Sequence, residues 1–175
     1  MQRAIDTEEW KRLDEIRNEL ERPVISEMDM IFQEQQREAI TALETFRSAI
    51  GEERALFSLE ALFNAPKWFT QTWSRLRNFF LDAILAGYEV GGLQGEVDLP
   101  DLTSFDPAVR EQLEIMAEKT AEITRTTAKD LAEIIDRALR NGTSVDDLAF
   151  EINDQFDGYT AHRSKLIAQT NITGA

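Results

Sequence analysis

Cysteine is absent from the 175 residues. That removes disulfides, thiol catalysis and cysteine-based zinc sites together, and fits a reducing compartment. Histidine occurs once, as His162. A Ser-His-Asp arrangement or a histidine metal site would have to use that single ring. Basic charge is scarce: Lys and Arg number 19 against 33 Asp and Glu, a formal net charge of −14. So acidic a balance argues against a sequence-specific or general nucleic-acid binder, which needs cationic surface to displace counterions from phosphate. Long apolar runs are missing too. Uncharged stretches such as Trp68 to Ser74 fall far short of the roughly 20 residues of a spanning helix. The first nine residues, Met1 to Glu9, contain no apolar signal-peptide core, so the expectation is a soluble protein that stays where it is made. Neither a Gly-x-x-x-x-Gly-Lys-Ser/Thr nor a Gly-x-Ser-x-Gly motif occurs, and no strand pattern precedes the Gly91, Gly92 and Gly95 cluster.

What is present is 42% hydrophobic and 30% charged residues, the balance of a folded chain with room for one domain or one domain plus an appendage. The periodicity is helical almost throughout, and no segment alternates with period two for long. Asp6 and Glu9 have capping-box spacing, and Trp10, Leu13, Ile16 and Leu20 recur at helical intervals until Pro23, expected to interrupt the helix. A second helix is expected from Val24 to Ile50, with Val24, Met28, Ile31, Ala39, Leu43, Phe46 and Ile50 on one stripe, Gln35 as its polar exception, and Gly51 as its stop. Leu56 to Phe63 reads as a short helix. Asn64 and Pro66 open another that runs to about Val90. Gly91 to Gly95, followed by Val97, Leu99, Pro100 and Leu102, reads as irregular chain.

Asp106-Pro107 is a helix start, an N-cap followed by proline at N1. The pattern then continues to Arg140 as one helix or two, and Asn141-Gly142 ends it. Ser144 and Asp147 cap the next helix, which carries Leu148, Ile152 and Phe156. Asp157-Gly158 reads as a turn, with Thr160 capping a last helix that holds Leu166, Ile167 and Thr170. The expected fold is all-α, an elongated multi-helix bundle without a sheet. The expected organisation is a helical region over 1–95, a linker over 96–105 and a helical domain over 106–175. Leu113, Ile123, Leu131, Ile134, Leu148, Ile152, Phe156 and Ile167 are its expected core.

No catalytic, cofactor-binding or metal-binding set is expected from the residues. Carboxylates lie on the polar faces of amphipathic helices, where solvation accounts for them. A di-iron bundle needs Glu-x-x-His twice, and His162 has Tyr159 three residues before it. Leu131 to Phe156 has the outline of a helix-turn-helix, but its second helix carries Asp146, Asp147, Glu151 and Asp154 with no Lys or Arg. It would repel phosphate, so an αα-hairpin is the plainer reading.

Two stretches remain as candidate partner-binding surfaces. Leu56 to Tyr88 holds eight of the fifteen aromatics, with Lys67, Arg75 and Arg77 as the only charges between Glu60 and Asp82. Trp68, Trp73, Arg75 and Arg77 are the residue types that dominate binding hot spots, and they are equally at home in and around a buried helix. His162, Arg163 and Lys165 form a small basic cluster on the last helix, where a solvated face is the alternative.

One resemblance emerges from motifs in the second half. Ser104-Phe105-Asp106-Pro107, Ile123-Thr124-Arg125-Thr126-Thr127, Ile134-Ile135, Gly142-Thr143-Ser144, Leu148-Ala149, Ile152, Phe156 and Arg163-Ser164-Lys165-Leu166-Ile167-Ala168-Gln169-Thr170 come one after another in that order. The series resembles the first part of the phage head morphogenesis domain, the family of Mu F-like minor capsid proteins. Members show a threonine-bearing helix, a Gly-x-Ser turn, an Ile…Phe helix and an Arg-x-x-x-Ile-Ala-Arg-Thr-Glu segment, from which this chain departs at Gln169 and Asn171. Many continue into a His-Pro…Cys-x-Cys cluster, so a domain truncated at its C-terminus is expected. The N-terminal half is similar to the region preceding this domain, sometimes an extension of a portal subunit. The resemblance implies a non-enzymatic structural role without cofactors. The partners it implies are portal, capsid or scaffold subunits, with homo-oligomerisation open, and the place is the virion head, or the host cytoplasm during assembly. The alternative is a helical adaptor that binds partners through helix 66–90.

Overall fold

The computed structural model describes residues 7–50, 59–95 and 106–172. The order is α1 (Thr7–Ile50), α2 (Leu59–Leu62), α3 (Ala65–Gly95), α4 (Pro107–Asn141), α5 (Val145–Gly158), a π-helical turn (Tyr159–Arg163) and α6 (Ser164–Ile172). Among the described residues there is no strand, so the fold is all-α, as the periodicity requires. With 44 residues, α1 would extend to about 66 Å at 1.5 Å per residue. It lies against α3, α5 and α6, while α4 packs chiefly on α3.

Pro23 does not end the first helix. It sits inside α1, which is continuous from Thr7 to Ile50. Proline removes one intrahelical hydrogen bond and crowds the carbonyl four residues back, at a cost of about 3 kcal/mol or more. Val24 and Met28, just beyond it, are fully buried, with Leu20 and Ile25 packed beside them. Burial of each such side chain contributes about 1.5–3 kcal/mol, so two of them suffice to offset the proline. The expected starts and stops at Asp6 and Gly51, and residues 56–58 of the expected short helix, lie outside the described residues; α2 itself spans Leu59–Leu62.

The opening of α3 agrees with the expectation: the Asn64 Oδ1 accepts a hydrogen bond from the Lys67 amide at 3.0 Å, with Pro66 in the first turn. Its far end does not. The helix continues past Val90 through Gly91 and Gly92 to Gly95, because glycine lowers helical propensity by only about 1 kcal/mol and does not forbid the conformation. Pro107 to Asn141 is one helix. Pro107 supplies its start, while the Asp106 side chain makes no capping hydrogen bond. Gly142 closes it in the left-handed region at φ 64°, its amide donating to the Ala138 carbonyl. The Ser144 hydroxyl accepts from the Asp147 amide at 3.1 Å and donates to the Asp147 carboxylate at 2.7 Å, fixing the start of α5.

Asp157-Gly158 is not a turn. Gly158 has helical dihedrals (φ −62°, ψ −38°), as do Tyr159 and Ser164, and the Ser164 amide reaches back five residues to the Tyr159 carbonyl. α5 and α6 are thus one helix with a single π turn. Thr160 caps nothing; its hydroxyl donates to the Phe156 carbonyl at 3.1 Å. One core gathers residues from before position 95 and after 106, among them Met28, Phe32, Leu76, Phe80, Met116, Leu131, Ile152 and Phe156. Of the eight expected core positions in the second half, seven are buried and Ile123 is half-buried against them. Gln35, the polar exception on the α1 stripe, is buried as well.

Candidate interaction surface

The seven candidate contact residues divide into those the fold uses internally and those it leaves outside. Trp68 is only 2% exposed and packs against Phe63, with ring centroids 6.4 Å apart. Trp73 is half-buried against the core beside Phe80. These tryptophans fill space between helices, which is why the amphipathic pattern of α3 carries them at core spacing.

Arg75 is held between two carboxylates of α1. It bonds to Glu27, and to Glu34 at 2.7 Å. Burial alone would lower its pKa, but the hydrogen bonds and charges of Glu27 and Glu34 outweigh that and raise it. Lys67 bonds to Glu38 in the same seam and lies over the Trp68 ring. Beside these bonds an open groove of about 850 Å³ runs between α1 and α3, bordered by Glu34, Arg37, Glu38, Lys67 and Trp68.

Arg163 is likewise internal. Its guanidinium donates to the Ile123 carbonyl at 3.3 Å and to the Asp130 carboxylate at 3.5 Å. It also stacks 4.6 Å from the Tyr159 ring centroid. The Tyr159 hydroxyl donates to the same Asp130 oxygen at 2.7 Å. Burial first, and then this hydrogen bond to a carboxylate, raise the Tyr159 pKa. This clasp ties the π turn to α4. The residue pattern alone does not single out Asp130 or Tyr159. The available signal is the i,i+4 spacing of Tyr159 and Arg163, which places them on one face of a helix, but only once the chain is helical through Gly158.

Arg77, His162 and Lys165 are exposed. They are the part of the candidate set that the fold leaves free for a partner to reach. Compared with family models, characterised proteins and solved structures, the chain matches none of them. Its site must therefore be read from its own geometry. Among the described residues no three His, Asp or Glu side chains converge to hold a metal ion, and no helix is long and apolar enough to cross a membrane. The threonines of α4 could suggest a polar site, since Thr120, Thr124 and Thr127 form a buried stripe. Each hydroxyl instead returns to the carbonyl four residues back, at 2.8, 3.2 and 3.1 Å. That satisfies them within their own helix and leaves nothing to donate to a ligand.

Proposed function

We propose that the chain is a structural, non-enzymatic component of a phage virion head, a minor head protein acting in head assembly near the portal vertex. Portal, capsid or scaffold subunits are its partners in this reading. The observation that carries it is the ordered motif series from Phe105 to Thr170. The helical setting of that series adds support. Asp106-Pro107 opens α4, the threonine segment lies within α4, Gly142-Thr143-Ser144 makes the turn, and Arg163 to Thr170 runs through the junction into α6. An acidic protein also meets packaged nucleic acid without adhering to it.

The adaptor reading through helix 66–90 has less behind it. Trp68 is buried and Arg75 is held by Glu27 and Glu34, which leaves Arg77 as the exposed member of that set. Mass spectrometry of purified heads and procapsids tests the assembly reading. The protein is expected in both, at a constant ratio to the major capsid subunit. Its absence from both would remove the reading.

A further inference from the structure

The two most exposed large apolar side chains among the described residues are Phe150, at 73%, and Leu166, at 62%. They lie on the same continuous helix, α5 through α6, and both face away from the core. Leu148, Ile152, Phe156, Ile167 and Ala168 occupy the buried side. Phe150 is framed by Asp146, Asp147, Asp154 and Asp157, at helical spacings of three, four and seven residues, all exposed. Leu166 has exposed His162 one turn before it and exposed Lys165 beside it. The outer face is therefore acidic in its first half and basic in its second, with one apolar residue in each.

The spacing is symmetric about Gly158. Phe150 and Leu166 each lie eight residues from it, Glu151 and Lys165 seven, and Asp154 and His162 four. Gly158 is itself exposed, and a Cβ built there meets nothing within 4 Å. We infer that this outer face pairs with the same face of a second copy of the chain, antiparallel, with the two-fold axis at Gly158. In that arrangement Phe150 meets Leu166 of the other copy about two helical turns on either side of the axis. Asp154 meets His162, and Lys165 meets Asp154; Glu151, at the edge, is already bonded to Arg137 at 2.7 Å.

Each pairing occurs twice because the interface is isologous, and the Lys165 ammonium of each copy lies opposite the Asp154 side of the other. A parallel or shifted pairing sets the aspartates against each other. Asp154, His162 and Lys165 have no other ion-pair or hydrogen-bond partner among the described residues, so the fold does not already use them. The net charge of −14 opposes association, but at physiological ionic strength its reach is only about 8 Å, and contact pairs then decide.

The absence of cysteine makes the test clean. Single thiols are introduced by Gly158→Cys and, as an exposed control on α3, by Arg77→Cys. Each full-length variant is treated with a short bis-maleimide at physiological salt. Gly158→Cys is expected to link into covalent dimers at least tenfold faster than the control. Phe150→Asp in the Gly158→Cys background is expected to abolish that advantage, with helix content by circular dichroism unchanged because Phe150 is exposed. A mixture of Phe150→Cys and Leu166→Cys chains is expected to link across chain types, while Phe150→Cys alone does not. Sedimentation velocity of the unmodified chain is expected to show a dimer that Phe150→Asp converts to monomer. A monomer at hundreds of micromolar would overturn the proposal and assign the face to another occupant. So would Gly158→Cys linking no faster than the control, or Phe150→Cys linking to itself as readily as to Leu166→Cys.

Discussion

Two Asx-Gly dipeptides, sixteen residues apart in the same half of the chain, have opposite fates. Asn141-Gly142 ends α4 with glycine at φ 64°, and the chain reverses into a capped hairpin. Asp157-Gly158 stays helical at φ −62°, and the chain carries straight on into a π turn. The dipeptides are chemically alike, so local preference cannot separate them. Their surroundings can. Beyond Gly142 come Thr143 and Ser144, with a ready N-cap that rewards a new helix. Beyond Gly158 come Tyr159 and Arg163, which a continuing helix delivers to Asp130 and Phe32. Glycine permits a turn; the residues after it decide whether the chain takes one.

The sharpest way to break the contrast is to empty the core that both segments share. Phe156 is fully buried, with Tyr159 edge-on at 5.3 Å between ring centroids. Phe156→Ala should cost about 3–5 kcal/mol, measured by chemical denaturation. A loss below about 1 kcal/mol would mean that the junction is not anchored by core packing.

Next in size is the turn itself. Gly142→Ala places a Cβ in the left-handed region and should cost about 1–2 kcal/mol, although open space surrounds the position. Thermal unfolding checks it, and an unchanged midpoint would show that the hairpin does not need its glycine.

The clasp gives a smaller effect with a distinctive pH signature. Tyr159→Phe should cost about 1 kcal/mol near neutral pH, the worth of a typical hydrogen bond. Because the phenol is harder to ionise in the fold than in the unfolded chain, its contribution is complete below the ordinary tyrosine value of 10.0 and is lost as pH rises above it. The wild type should therefore lose stability above pH 10 more steeply than Tyr159→Phe. Parallel curves would remove the Tyr159–Asp130 bond from the account.

The last effect has the opposite sign. Gly158 is a mid-helix glycine with nothing near its would-be Cβ, so Gly158→Ala should stabilise the dilute monomer by about 0.5–1 kcal/mol. Destabilisation there would mean that the junction needs glycine after all. Gain at Gly158 with loss at Gly142 is the comparison in its most compact form.

The periodicity of the sequence was enough for the all-α class, the openings of α3, α4 and α5, the end of α4, and the buried stripe of the second half. These depend on neighbours within four residues: a cap, a proline at N1, a positive-φ glycine, a repeat near 3.6. The contact surface was less legible. Trp68 and Trp73 have the composition of a hot spot, and composition is blind to whether a helix has partners on every side. Continuity through Pro23 and Gly158, the burial of Trp68, the capture of Arg75 by Glu27 and Glu34, and the tie between Asp130, Tyr159 and Arg163 all depend on residues distant in sequence. Tertiary structure alone decided them. A local signal there is worth about 1–3 kcal/mol, and burying a few side chains on a distant helix outweighs it.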